Sequence, residues 1–263
     1  MSLAGEERKN KILAMLMETG KVQVTELAQL FEVTTETIRR DLEELEKDNK
    51  LRKVYGGAIK SQIEIELPHQ QRQFVHAEAK RQIGLLAAGL IEDNDVIAVD
   101  EGSTTLEIIR HLTNKSNLTI FTCSVPALVH LIDSQKKGVF QGKIMMIGGE
   151  VNAQHLRVAG PIAENMMGNY FVDKAFISVD GISPEHGLTC YDPERALFSR
   201  KLIHCARQPI VVVDHSKLSL RTVAKIADWT EVGTIVCNEP PPEPWNEALN
   251  ASEMKWLSPS ANA

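Results

Sequence analysis

The sequence predicts a small three-helix domain closed by a β-hairpin, followed by a larger α/β domain with a mainly parallel sheet. Three observations predict this. Apolar residues recur at helix spacing three times before residue 50, and a basic run, Lys50-Leu51-Arg52-Lys53, then leads into Tyr55-Gly56-Gly57-Ala58. From about residue 80, short β-branched runs alternate with helical stretches, as buried parallel strands and their crossover helices do. The length, 263 residues, suits two domains.

In the first domain, Ile12, Leu13, Leu16 and Met17 mark a helix that Gly20 ends. Thr25 is expected to cap a second, carrying Leu27, Ala28, Leu30 and Phe31. Thr34 or Thr35 caps a third, with Ile38, Leu42 and Leu45 as its stripe. About three residues, Glu32 to Thr34, join the last two helices, which is the connection of a helix-turn-helix. Off the apolar stripe, the start of the third helix carries Thr35, Glu36, Thr37, Arg39 and Arg40. That end of such a helix normally enters the major groove of DNA, where arginine meets guanine edges or phosphates. Arg52, Lys53 and Tyr55 lie in the hairpin, which reads as a wing beside it. These eight residues are the candidate DNA contacts. The same spacing also fits a three-helix bundle for protein contacts. The expected boundaries are residues 1–60 for this domain, 61–78 for a polar linker holding Glu64, Glu66 and Pro68, and 79–263 for the α/β domain.

A net charge of −6 looks wrong for a DNA binder, but it is unevenly spread. Residues 1–60 hold 11 Lys+Arg and 11 Asp+Glu, so all the excess acid lies beyond them. No apolar run approaches the roughly 18 residues of a membrane span, and the polar start is no secretory signal. The four cysteines are far apart, which suits free thiols in a reducing cytoplasm. The histidines are scattered, so neither a metal nor a cofactor is expected.

The second domain opens on a helix with Ile83, Leu86, Ala87 and Leu90. Strands are expected at Val96–Val99, Leu118–Thr122, Lys143–Ile147, Ala175–Val179, Ile210–Val213 and Thr234–Cys237, with a short last one near Met254–Leu257. Helices are expected at about 104–112, 125–134, 160–170 and 193–206. Ligands of such sheets sit outside the carboxyl ends of the strands. Here those ends are polar: Asp100-Glu101-Gly102-Ser103-Thr104-Thr105, Cys123-Ser124, Gly148-Gly149, Asp180-Gly181 and Asp214-His215-Ser216-Lys217. The first is the sharpest. A glycine, three hydroxyls and a helix start make an anion cradle suited to phosphate, although plain helix capping uses the same residues. Neither Gly-Lys-Ser/Thr nor Gly-x-Gly-x-x-Gly is present there, which argues against a nucleotide loop. Lys217 is a cation for a phosphate or sugar, or half of a surface salt bridge. Glu194 opens a helix, where a carboxylate suits the dipole in any case. Adjacent in one loop, Asp214 and His215 do not make a credible acid/base pair.

Glu26-Leu27-Ala28, Thr37-Ile38-Arg39-Arg40-Asp41-Leu42 and Tyr55-Gly56-Gly57-Ala58 resemble the DeoR family of bacterial regulators. Asp100-x-Gly-Ser-Thr-Thr, Gly148-Gly149, Asp180-Gly181-Ile182, Gly187-Leu188-Thr189, Glu194 and Asp214-x-Ser-Lys217 are similar to that family's effector domain. The resemblance spans roughly residues 8 to 240. It implies an operator-binding winged helix and a ribose-5-phosphate isomerase-like effector domain, usually in a repressor of sugar or polyol catabolic genes. By the same likeness Gly102 to Thr105 hold the phosphate, while Asp100, Asp180, Glu194 and Lys217 face the sugar. Cys123 departs from the asparagine usual between Thr122 and Ser124, and the isomerases' Lys-Gly-rich loop is missing. The leading reading is therefore a DNA-binding regulator, working as a homo-oligomer on operator DNA, with a phosphorylated sugar or polyol as effector. The competing readings are a sugar-phosphate isomerase-like enzyme with an appended DNA-binding domain, and a protein-binding adaptor.

Overall fold

Apolar stripes and β-branched runs build two units, one ending at Ala77 and the other beginning at Glu78. The computed structural model describes residues 3–48, 50–60 and 66–259.

In the first unit, α1 (Leu3–Thr19) leads through β1 (Lys21–Gln23) into α2 (Val24–Leu30), then α3 (Thr35–Lys47), β2 (Leu51–Val54), β3 (Gly57–Lys60) and the single turn α4 (His69–Arg72). Ile12, Leu13, Leu16, Leu27, Ile38, Leu42 and Leu45 are buried together. Most of the core thus follows from periodicity alone. The hairpin has a third strand that periodicity did not show: β1 pairs with β3, giving the order β1-β3-β2. Gly57 makes room for it, since a Cβ there would stand 2.0 Å from the Val22 carbonyl oxygen.

The same strand corrects the expected cap. Helix α2 starts at Val24, so Thr25 lies inside it, and the N-cap position, Gln23, provides no side-chain cap. The reason is that β1 runs straight into the helix, and the Val24 N–H donates instead to the Gly56 carbonyl at 2.9 Å. Thr34 does cap α3, accepting from the Thr37 N–H at 3.2 Å. Of the expected linker, residues 61–65 lie outside the described residues. Beyond them, α4 packs on α1, and Arg72 pairs with Glu66 at 2.8 Å.

The second unit runs α5 (Ala77–Gly89), β4 (Val96–Val99), α6 (Ser103–Arg110), β5 (Ser116–Thr122), α7 (Val125–Lys136), β6 (Gln141–Met146), β7 (Glu150–Asn152), β8 (Arg157–Ala159) and α8 (Pro161–Met167). It continues with β9 (Val172–Ser178), β10 (Gly181–Ser183), β11 (Gly187–Cys190), α9 (Pro193–Cys205), β12 (Ala206–Val213), β13 (Ala224–Ala227), β14 (Thr234–Cys237), α10 (Asn246–Ala251) and β15 (Lys255–Leu257). Seven strands form one sheet, ordered β15-β14-β12-β9-β4-β5-β6, and every neighbouring pair is parallel. Successive residues point to opposite faces. Ile97, Val99, Ile120, Phe176, Ile210 and Val212 therefore meet α5, α6 and α7 on one side. Ala98, Phe121, Ala175, Ile177, Val211 and Val213 meet α8 and α9 on the other. Because the strands are parallel, all their carboxyl ends share one edge. The hairpin β7–β8 and the antiparallel sheet β10-β11-β13 lie in the connections that follow β6, β9 and β12 at that edge. Among the described residues no helix is long and apolar enough to cross a membrane, and all four cysteines are buried and free.

Candidate functional site

The start of α3 is an exposed face of the first unit. Glu36, Arg39 and Arg40 are exposed, and Thr35 and Thr37 half-buried. Arg39 reaches Glu36 at 3.3 Å, while the guanidinium of Arg40 has no ion-pair partner among the described residues. The Thr37 hydroxyl is paired with that of Thr34 at 3.0 Å. On the hairpin, Arg52 is exposed and Tyr55 stands fully in solvent at its tip. Lys53 is different. Its ammonium pairs with Glu43 of α3 at 2.9 Å, and its N–H with Glu46 at 2.7 Å. These bonds tie the wing to the helix. The face thus offers Arg40, Arg52 and Tyr55 freely, Arg39 after a weak surface pair opens, and Lys53 last.

At the sheet edge the expected residues divide into two groups. Ser103 and Thr104, in the first turn of α6, are buried to 7% exposure. Their hydroxyls have no hydrogen-bond partner among the described residues, and no side chain caps the helix. The first N–H groups of a helix have no partner within it, and they carry the positive end of its dipole. Lys217 is half-buried, two strands away at the end of β12, and its ammonium pairs with no carboxylate among the described residues.

The second group is committed to the protein itself. Thr105 donates to the Gly102 carbonyl at 3.1 Å, and Ser124 caps α7, accepting from Ala127 at 3.3 Å. Gly102 has a φ of 150°, a conformation L side chains avoid, and a Cβ on it would meet Ser178 Oγ at 2.7 Å. Its closeness therefore serves the contact with β9. Gly149 and Gly181 press likewise against the carbonyls of Ala159 and Leu220, whereas Gly148 is exposed. Asp100 is fully buried. It accepts Ser199 Oγ at 2.8 Å and the Glu101 N–H at 2.8 Å, and Cys123 Sγ lies 3.8 Å away. Burial lifts this carboxyl, against the pull of Arg195, to about 6. Burial also pushes the Cys123 thiol well up, with Asp100 adding to it, so it is a neutral packing group beneath the loop. Asp180 is buried on Arg195, whereas Glu194 is exposed at the start of α9.

Two arginines that sequence reasoning passed over join these groups. Arg157 and Arg195 are each 1% exposed. Arg195 Nη1 donates to Asp180 at 2.5 Å, Nη2 to the Ser178 carbonyl at 2.9 Å and Oγ at 2.8 Å, and Nε lies 2.8 Å from Glu101. Burial opposes its charge, but Asp180, Glu101 and Asp100 outweigh burial and hold the guanidinium well above its usual range. Arg157 joins Glu101 at 3.1 Å to Asp192. A signal for Arg195 was present: with Phe198, Ser199 and Leu202 it falls at i, i+3, i+4 and i+7, on the buried face of α9.

The chain matches the family described as the DeoR C terminal sensor domain over residues 75–239, and the DeoR-like helix-turn-helix domain over residues 8–63. It belongs to the DeoR family. One DeoR-type relative, the HTH-type transcriptional repressor GlcR of Bacillus subtilis, is 32% identical over 255 residues, which is 96% of this chain and 95% of that one. The glycerol-3-phosphate regulon repressor of Escherichia coli is 26% identical over 236 residues, 90% of this chain and 92% of that one. Among solved structures, ribose 5-phosphate isomerase A of Methanocaldococcus jannaschii aligns over 54% of each chain at 19% identity, with a TM-score of 0.38, a likeness too slight to speak for the site. As a DeoR-family member the protein is a DNA-binding transcriptional regulator rather than an enzyme.

Proposed function

We propose that this regulator is a repressor of sugar or polyol catabolic genes, controlled by a phosphorylated sugar or polyol at the first turn of α6. The observation that carries this reading is the pair Ser103 and Thr104: two largely buried residues at an uncapped helix start whose hydroxyls have no hydrogen-bond partner among the described residues. Unspent donors at a helix N-terminus suit a phosphate. Lys217 adds a cation that no carboxylate among the described residues neutralises. Exposed Gly148 and Glu194 would face the polyhydroxy body, with buried Asp180 and Gly181 behind them. Asp100, Gly102, Thr105, Ser124 and Gly149 shape the site from behind. The name of the glycerol-3-phosphate regulon repressor is in keeping with a ligand of this class. The N-terminal unit reads operator DNA with Thr35, Glu36, Thr37, Arg39 and Arg40, steadied by Arg52, Lys53 and Tyr55. A two-fold operator calls for at least a dimer, placed in the cytoplasm with the DNA.

The test is a thermal-shift screen of the full chain against phosphorylated sugars and polyols, each beside its unphosphorylated counterpart. A ligand bound by the folded state alone raises the melting temperature by mass action. Protection by a phosphate ester and none by its parent alcohol is expected. Equal protection by both would remove the phosphate from the reading.

A further inference from the structure

Glu101 stands immediately before the Gly102–Thr105 loop, and two buried arginines converge on it. Arg157 arrives from β8 and Arg195 from α9. Beyond Glu101, Arg195 holds Asp180 and Ser178, and Arg157 holds Asp192. Asp192 in turn caps α9, accepting the N–H groups of Glu194 at 2.8 Å and Arg195 at 3.3 Å. Ser178 Oγ closes the circuit by donating to the Glu101 carbonyl at 2.5 Å. Through its carboxylate and its backbone carbonyl, Glu101 therefore fastens the loop to β8, the end of β9 and the start of α9.

Such a cluster is poorly explained by stability. Apolar residues of the same volume often hold a core as well as buried ion pairs do, because desolvating the charges is so costly. What the cluster supplies is fixed geometry, at the point where the backbone must present the N–H groups and hydroxyls of Ser103 and Thr104 together. We infer that Arg195 and Arg157 are positioning residues for the anion loop. They grip Glu101 and set the backbone from Gly102 to Thr105 without touching the ligand. This rests on the reading that the loop holds a phosphate.

The experiment titrates the full chain with inorganic phosphate by calorimetry and follows melting by circular dichroism. Arg195→Lys keeps the charge but loses the fork that reaches Glu101, Asp180 and Ser178 at once. We expect phosphate affinity to fall roughly tenfold, on the scale seen when partners behind metal-ligating groups are removed. In a Glu101→Gln background the same substitution should add little, because the two act through one contact. Should Arg195→Lys not fold, Asp192→Asn, at a half-exposed residue, loosens the Arg157 arm and should weaken phosphate binding several-fold. Wild-type affinity in the variants that fold, whatever their melting temperature, would overturn the inference and leave the phosphate reading standing. If neither phosphate nor any phosphate ester binds the wild type, the loop reading has failed, and this inference falls with it.

Discussion

Asp41, buried on α3, accepts two hydrogen bonds from Arg8 of α1, at 2.6 and 3.1 Å. The bidentate bond holds the helix whose other face carries Arg39 and Arg40, and Asp41 holds the Arg8 guanidinium above its usual range. Asp41→Ala leaves that guanidinium without its partner. It should destabilise the N-terminal unit by roughly 1.5–3 kcal/mol, the cost of losing a hydrogen bond to a charged group. Urea unfolding followed at 222 nm measures the loss. The tryptophans Trp229, Trp245 and Trp256 pack as a cluster in the C-terminal unit, and their fluorescence midpoint should stay put. A shared shift would mean that the two units unfold as one.

The basic residues of the proposed DNA face should differ in effect. Arg40 and Arg52 are exposed and unpaired among the described residues, whereas Lys53 is tied to Glu43. Arg40→Ala and Arg52→Ala should each lower the salt slope of binding to any duplex by about 1 if they meet phosphate, or cost about 1–3 kcal/mol on the operator alone if they read a base. Lys53→Ala should change binding least. Fluorescence anisotropy between 50 and 200 mM salt, roughly the range where counterion release dominates, separates these outcomes. Wild-type binding by both arginine variants would move the contact face elsewhere.

The strands of the main sheet were legible because most are short apolar runs with β-branched residues, as burial on both faces requires, Ile210–Val213 being the clearest. The hairpin β7–β8 was not, since three-residue strands around Gly149 and Leu156 carry too little periodicity to register. Strand β1 was hidden for the same reason: Lys21-Val22-Gln23 becomes a strand only because Gly57 lets β3 approach it. At the site, the sequence showed the hydroxyls of Ser103 and Thr104 but not the roles of their neighbours. Whether a carboxylate faces solvent or an arginine depends on contacts such as Glu101 to Arg157, separated by 56 residues. Local spacing does not encode those.

Asp100 should leave a mark on the pH dependence of stability. Its carboxyl is lifted by burial to about 6 from a reference value of 3.8. Between those values the folded state holds a proton that the unfolded state has released. Stability therefore falls as pH rises through this window and levels off above it. From pH 5 to pH 7 the loss from this group is roughly 1 kcal/mol. Asp100→Asn cannot ionise, and its amide can still meet Ser199. The variant should be nearly insensitive over that range, apart from the other groups it shares with the wild type. Urea midpoints of both proteins at pH 5 and pH 7 give the comparison. Identical pH slopes would mean that Asp100 titrates outside this window.

The hydroxyls of Ser103 and Thr104, unpaired among the described residues, and Lys217 predict a graded loss of ligand. Thr104→Val is nearly isosteric, so it removes a donor while keeping the buried volume. With a phosphate oxygen as acceptor, the missing bond should cost roughly 1.5–3 kcal/mol of affinity. Ser103→Ala should cost a similar amount. Lys217→Ala should also weaken the ligand within that range, and by less at high salt, because a half-buried cation is partly screened. Glu194→Gln is the contrast. Glu194 is exposed, and its substitution changes the charge at the start of α9 without opening the circuit through Asp192 and Arg195. Its effect on a phosphate ester should be several-fold smaller than that of Thr104→Val. Calorimetric titration with the best ester from the thermal-shift screen ranks the four variants. Were Glu194→Gln to cost more than Thr104→Val, the ligand would sit over the start of α9 instead of at the first turn of α6.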